Sequence, residues 1–190
     1  MAKKGSPSWS HVKKSLESFD RIGLIGLVKD LFEYSQDNRV FLLARFAAPE
    51  DQKAALEDYR TRIVEVFFPK RGFSNLKLNP ARKAIRDYRK ATSDLQGTLD
   101  LMLTYVESGT EFTNQFGDIN EPFYNSLESM LDELAKILKT PEGAEFYYGF
   151  ESRLISLKGE ASAVGWGYGD NVADIVGELE TLMEAQETQT

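Results

Sequence analysis

Pro122-Phe-Tyr-Asn-Ser-Leu-Glu-Ser-Met-Leu-Asp-Glu-Leu-Ala-Lys-Ile-Leu138 is the stretch whose spacing decides the fold class. Its apolar residues Phe123, Leu127, Met130, Leu131, Leu134, Ile137 and Leu138 recur at steps of three and four. Side chains return to one face of an α-helix at that period. Proline at the first helical position leaves no N–H unpaired there. The same signature extends outward on both sides. Upstream, Asp94 starts a long helix with Leu99, Met102, Leu103 and Val106 on one stripe and Leu101, Tyr105 and Phe112 on another. Two apolar stripes mark it as the central helix, and Gly117 with Asp118 ends it. Downstream, Thr140-Pro141 is a cap and first-turn pair that opens a helix to about Leu157.

Farther out, Asn79-Pro80 is another such pair. Pro49 starts a helix running to about Phe68, and Ser35 caps one through about Ala47. Trp9, Val12, Leu16 and Phe19 form one face of the first helix. Asp20 caps the second, in which Ile22, Leu24, Ile25, Leu27, Val28, Leu31 and Phe32 surround the axis, a pattern that predicts burial. Gly23 and Gly26 inside it each cost about 1 kcal/mol of helix propensity, so a neighbouring backbone is expected close by. After Gly165-Trp-Gly-Tyr-Gly169, a last helix carries Val172, Ile175, Val176, Leu179, Leu182 and Met183. No sustained period-two alternation occurs. The expectation is an all-α protein, a single domain over 8–185 between tails at 1–7 and 186–190. Short loops imply mostly antiparallel neighbours, hence a compact bundle of eight or nine helices, with a short helical-repeat array as the alternative.

Composition narrows the chemistry. The 190 residues include no Cys, and His11 is the single histidine. Thiol chemistry and disulfides are excluded, and nearly all His-based metal sites and triads go with them. No apolar run reaches the length of about 18 residues that spans a bilayer. The basic N-terminus, with Lys3 and Lys4, leads into no apolar segment of a secretory signal. A cytoplasmic protein with no membrane partner, no metal and no cofactor is expected.

The net charge of −7 argues against whole-surface attraction to nucleic acid. It hides one basic segment. Lys70, Arg71, Lys77, Arg82, Lys83, Arg86, Arg89 and Lys90 stand against Asp87 alone, a net +7 that leaves −14 to the rest of the chain. On a helix, Arg82, Arg86 and Arg89 project within about 40° of one direction. Ala81, Ala84, Ile85 and Tyr88 take the opposite side, so the basic face points away from its own helix's core contacts. One reading is a surface for a phosphate backbone or an acidic partner. The other is pairing with the chain's own acids, for which Glu107, Glu111, Asp118, Glu121 and Glu128 are the candidates.

Other constellations are weaker. Glu107 and Glu111 share a helix face, but a di-metal bundle site needs Glu-x-x-His on two helices. Gly117-Asp-Ile-Asn-Glu121 lacks calcium-loop spacing. The glycine loop at 165–169 opens an acidic helix and reads as a connection with aromatic tethers rather than a phosphate cradle. Ser126 and Ser129 have no base nearby in sequence, and His11 reads as an exposed or capping residue.

The motif Val64-Glu-Val-Phe-Phe-Pro-Lys-Arg-Gly-Phe73 is followed by Leu76-Lys-Leu78 and Ala81-Arg-Lys-Ala-Ile-Arg-Asp-Tyr88. With Leu101-Met-Leu-Thr-Tyr-Val-Glu-Ser-Gly109, Glu111-Phe-Thr-Asn114, Gly117-Asp118 and Glu121-Pro-Phe-Tyr-Asn-Ser-Leu-Glu-Ser-Met130, it resembles a bacterial all-helical family of unknown function over about residues 12–150. The resemblance implies an α-helical protein of bacterial or phage type and carries over no activity. The functional expectation is a non-enzymatic helical protein-interaction or adaptor module. Its alternatives are phosphate-backbone binding through 70–90, or a small enzyme using Glu107 or Glu111 with Arg82.

Overall fold

In a computed structural model that describes residues 8–70 and 76–187, with side chains to 185, α-helices follow one another and no strand occurs among the described residues. They are α1 (Trp9–Leu16), α2 (Arg21–Tyr34), α3 (Gln36–Arg45), α4 (Gln52–Phe67), α5 (Asn79–Thr92), α6 (Leu95–Phe116), α7 (Glu121–Leu138), α8 (Pro141–Ala144), α9 (Tyr147–Ala161) and α10 (Tyr168–Glu187). The expected tail from 186 therefore starts later, because α10 carries the backbone to Glu187. Residues 1–7 and 188–190 lie outside the described part.

Polar caps explain where several helices start. Asp20, Ser35, Asp94, Asn120 and Thr140 each accept the backbone N–H three residues on, satisfying a donor the helix itself cannot. Two expected starts shift. Pro49 opens a single 3-10 turn, Pro49–Asp51, before α4 begins at Gln52. Asn79 is already helical and makes no cap bond. At the other end of α6, Gly117 takes a φ of +84°, the conformation that stops the helix.

The central helix is α6. It packs against α4, α5, α7 and α9, and both of its apolar stripes are buried. Gly109 lets α7 approach so closely that an added Cβ would collide with Leu127. From Val40 to Met183 the buried residues form one continuous core. Tyr88, Tyr124 and Tyr168 enter it whole because their hydroxyls find partners: Tyr88 donates to Asp94, while Tyr124 and Tyr168 pair with Thr113 and Thr110. The helix expected from Thr140 to about Leu157 is broken in two. Gly143 lies against the Ile137 carbonyl with no room for a Cβ, which fixes α8 across the end of α7, and α9 restarts at Tyr147.

The second helix departs most from expectation. None of its residues is buried, and Ile22 is 78% exposed. It packs on α3, its sequence neighbour. Nothing lies within 4 Å of a Cβ added at Gly26, and Gly23 faces its own cap and Phe19. The neighbouring backbone inferred for these glycines is absent among the described residues. Trp9, Val12 and Phe19 beside it are exposed too, so α1 and α2 form an apolar arm outside the core.

Candidate functional site

The basic face of α5 stays outward, as its spacing requires. Ala81, Ala84, Ile85, Tyr88 and Ala91 are buried, and the cations occupy the other side. Arg82 is half-buried and anchored to α7: its Nη1 donates to the Ser126 carbonyl at 2.9 Å, and Nη2 reaches the Ser129 hydroxyl at 3.4 Å. Its guanidinium also lies over the Tyr105 ring, 6.0 Å from the centroid. Tyr105 bonds the Ser126 hydroxyl at 2.7 Å. Burial raises the Tyr105 pKa, against the pull of Ser126 and Arg82, so the phenol stays protonated.

Lys83 is paired. It donates to Asp87 at 2.6 Å and to Asp37 of α3 at 3.0 Å, and these bonds raise its pKa. The same lysine, with Arg62, holds Asp37 below the ordinary carboxylate range. Arg89 makes a loose pair with Glu133 at 3.7 Å, and Lys70 pairs with Glu65 at 2.8 Å. Lys77, Arg86 and Lys90 are exposed and form no ion pair among the described residues. Arg71 lies outside the described residues.

Arg82, Arg86 and Arg89 line a hollow of about 110 Å³ between α5, α6 and α7. Ile85, Met102 and Met130 give it an apolar floor, and Thr98 and Glu133 complete its wall. The spacing of the three arginines and Ile85 places them on one helix; Met102 and Met130, which complete the floor from α6 and α7, had no local signal.

The internal partners expected for this face do not meet it among the described residues, where none of Glu107, Glu111, Asp118, Glu121 and Glu128 bonds to it. Glu107 is gripped by Arg153, Glu111 accepts from Gln115, and Asp118 accepts from Tyr124. Glu121 is exposed, and burial with the nearby Asp132 charge raises the Glu128 pKa. The acids that do meet the face, Asp37, Glu65 and Glu133, sit on α3, α4 and α7.

A second constellation went unnoticed in the sequence. Asp100, Thr104 and Glu107 form a polar stripe on α6 at i, i+4, i+7, clamped by Arg60 of α4 and Arg153 of α9. Arg153 binds Glu107 through Nε at 2.8 Å and Nη2 at 2.6 Å, and Asp100 through Nη1 at 2.6 Å. Arg60 Nη2 lies 2.6 Å from the other Asp100 oxygen, an ion pair bent away from hydrogen-bond geometry. Both arginines also donate to Thr104. Burial opposes the Arg153 charge, and the two carboxylates outweigh it, raising its pKa. A stripe of acids inside an otherwise apolar helix is the signal that announces such a clamp. Beside it, Glu107 and Glu111 do share a groove of about 490 Å³, but its cation is Arg153 and not Arg82.

The glycine loop is tethered by aromatics. Trp166, at a φ of +62°, stacks on Tyr124 with ring centroids 6.3 Å apart, and Tyr168 is fully buried. Among the described residues no helix is long and apolar enough to cross a membrane, and no His, Asp or Glu group is placed to hold a metal ion. The chain matches no protein-family model, curated protein or solved structure.

Proposed function

We propose that the protein is a non-enzymatic helical interaction module that binds an acidic segment of a partner protein on the basic face of α5. The observation that carries this reading is the arginine-lined hollow, whose Arg86 forms no ion pair among the described residues. A cationic rim over an apolar floor suits one acidic side chain and the methylenes that carry it, because a carboxylate is recognised by a guanidinium fork in a defined plane. Arg82 is already immobilised on α7 and loses little further freedom on binding.

Protein is favoured over nucleic acid by the surroundings. Glu133 stands in the hollow's wall and Asp87 on α5. These acids and the net −7 work against any extended polyanion, and the hollow of about 110 Å³ suits one acidic side chain and not a run of phosphates. The resemblance over about residues 12–150 belongs to the same proposal and adds no activity to it.

The test is binding of a labelled oligoglutamate peptide and of duplex DNA, by fluorescence anisotropy at low and high salt. Wild type and the variant Arg82→Ala, Arg86→Ala, Arg89→Ala are compared. The expected result is peptide binding that falls at least about tenfold in the variant, since each charge-assisted bond is worth roughly 1.5–3 kcal/mol, with no retention of DNA. DNA binding with a log K that declines by about 0.9 per phosphate contact as log salt rises would replace this reading with the nucleic-acid one. No binding of either probe, with a large loss of melting temperature in the variant, would make the face an internal brace.

A further inference from the structure

We infer that the groove between α9 and α10 is a binding site for an aliphatic polyamine, held by Glu151, Glu180 and Glu184 around the hydroxyl of Tyr147. The two helices pack on each other and leave a hollow of about 520 Å³, within the roughly 300–1,000 Å³ of small-molecule sites. Tyr147 separates this hollow from an ordinary acidic surface. It lines the hollow and is only 1% exposed. The hydroxyls of Tyr88, Tyr105, Tyr124 and Tyr168 each bond to a side chain, whereas that of Tyr147 bonds to no described residue. A buried hydroxyl ordinarily finds a partner; here a ligand would supply it.

Charge gives the sign of that ligand. Glu151 of α9 and Glu180 and Glu184 of α10 line the hollow, and no described Lys or Arg does. Lys158, farther along α9, bonds to Glu180 at 3.2 Å, one cation against three carboxylates. Burial and then the charges of Glu151, Glu180 and Glu184 raise the Tyr147 pKa, so the phenol keeps its proton and stands within the field of all three acids. Carboxylates only accept hydrogen bonds, and a phenol oxygen accepts one as well. The group that completes them is a positively charged N–H donor.

Shape makes it an extended cation. Among the described residues no three acids are placed to hold one metal ion, so glutamates drawn from two helices suit charges spaced along a chain. Ile155, 51% exposed, and the buried Met183 also line the hollow and give the methylenes between ammonium groups an apolar contact. Tyr148 stands edge-to-face on Tyr147, with ring centroids 5.3 Å apart, and is itself 51% exposed; an open aromatic face attracts an ammonium group. A single lysine of a partner protein would answer one of the three carboxylates. The site shares no residue with the basic face of α5 and does not depend on the function proposed for it.

Calorimetric titration of the full chain with spermidine, at about 0.15 M salt to screen diffuse attraction, tests the site. Wild type should bind spermidine saturably, one per chain, and excess Mg²⁺ should not displace it. Tyr147→Phe removes the hydroxyl and keeps the ring; Glu151→Gln removes a carboxylate that forms no ion pair among the described residues. Each should weaken binding by about tenfold, the worth of one hydrogen bond to a charged group. Glu50→Gln, on the exposed turn before α4, changes the net charge by the same amount and should leave the affinity within about twofold. Circular dichroism checks each fold, and if Tyr147→Phe unfolds, the contrast between Glu151→Gln and Glu50→Gln decides. Absence of saturable binding, displacement by Mg²⁺, equal losses in the two glutamate variants, or unchanged affinity in a folded Tyr147→Phe would overturn the inference. Binding of an oligolysine peptide without binding of spermidine would overturn it in favour of a basic partner segment.

Discussion

Arg153 is the side chain on which the interior's charge balance depends. It neutralises Glu107 and half of Asp100, and no other cation among the described residues reaches Glu107. Arg153→Met should therefore cost about 2–4 kcal/mol in urea unfolding, near the lower end for breaking a buried pair because the site is partly wet. Arg82 and Arg86 separate stability from binding. Arg82→Ala removes its bonds to Ser126 and Ser129 on α7 and should lose about 1 kcal/mol, whereas Arg86→Ala should stay within about 0.5 kcal/mol of wild type and still weaken peptide binding. Two carboxyls give opposite acid responses. Asp37 is held below its ordinary 3.8, so its contribution is present above that pH and disappears as pH falls through the lowered value. Its side chain is half exposed, which limits the effect to below about 1 kcal/mol. Glu128 is raised above 4.5, so the folded state favours its proton, and that contribution vanishes as pH rises through the raised value. Urea midpoints across the acid range should show Asp37→Asn reducing the acid loss and Glu128→Gln gaining stability toward neutrality.

Elements were legible to different degrees, for physical reasons. The single face of α7, the double stripe of α6 and the division of α5 into an apolar and a basic side follow from spacing alone, since the helical period fixes what shares a face. The reading of α2 failed because apolar residues all round an axis state that a helix needs cover and do not say that its own chain supplies it. The clamp of Arg60 and Arg153 joins residues 40 to 53 positions apart in sequence, and no local pattern names such partners. Gly109 yields a direct check on the α6–α7 contact. Gly109→Ala should cost about 1–3 kcal/mol by forcing Leu127 aside, and the further change Leu127→Ala should not add its full separate cost. A double-mutant cycle by thermal melting measures that coupling.

Across the molecule, stability is divided unevenly. One core runs from α3 to α10, and the arm stands outside it. Hydrogen exchange should show α6 amides opening only with global unfolding, while those of α2 exchange faster by orders of magnitude. Exchange that is uniform across α2 and α6 would contradict the division. The bundle class was readable from the sequence because every helix start and stripe agreed on it. The count of helices was less so, since the break between α8 and α9 depends on the carbonyl of Ile137, which only the folded chain brings against Gly143.

The two tryptophans give this division an optical consequence. Trp9 is 70% exposed on the arm and Trp166 is 60% exposed on the loop before α10, stacked on Tyr124. Neither indole is inside the core, so denaturant should shift their emission little, and intrinsic fluorescence would underreport unfolding that circular dichroism sees in full. Replacing Trp166 by Phe leaves a single tryptophan, the one on the arm. Its emission should then keep the colour of a solvated indole through urea unfolding, so that the fold beneath stays dark to it.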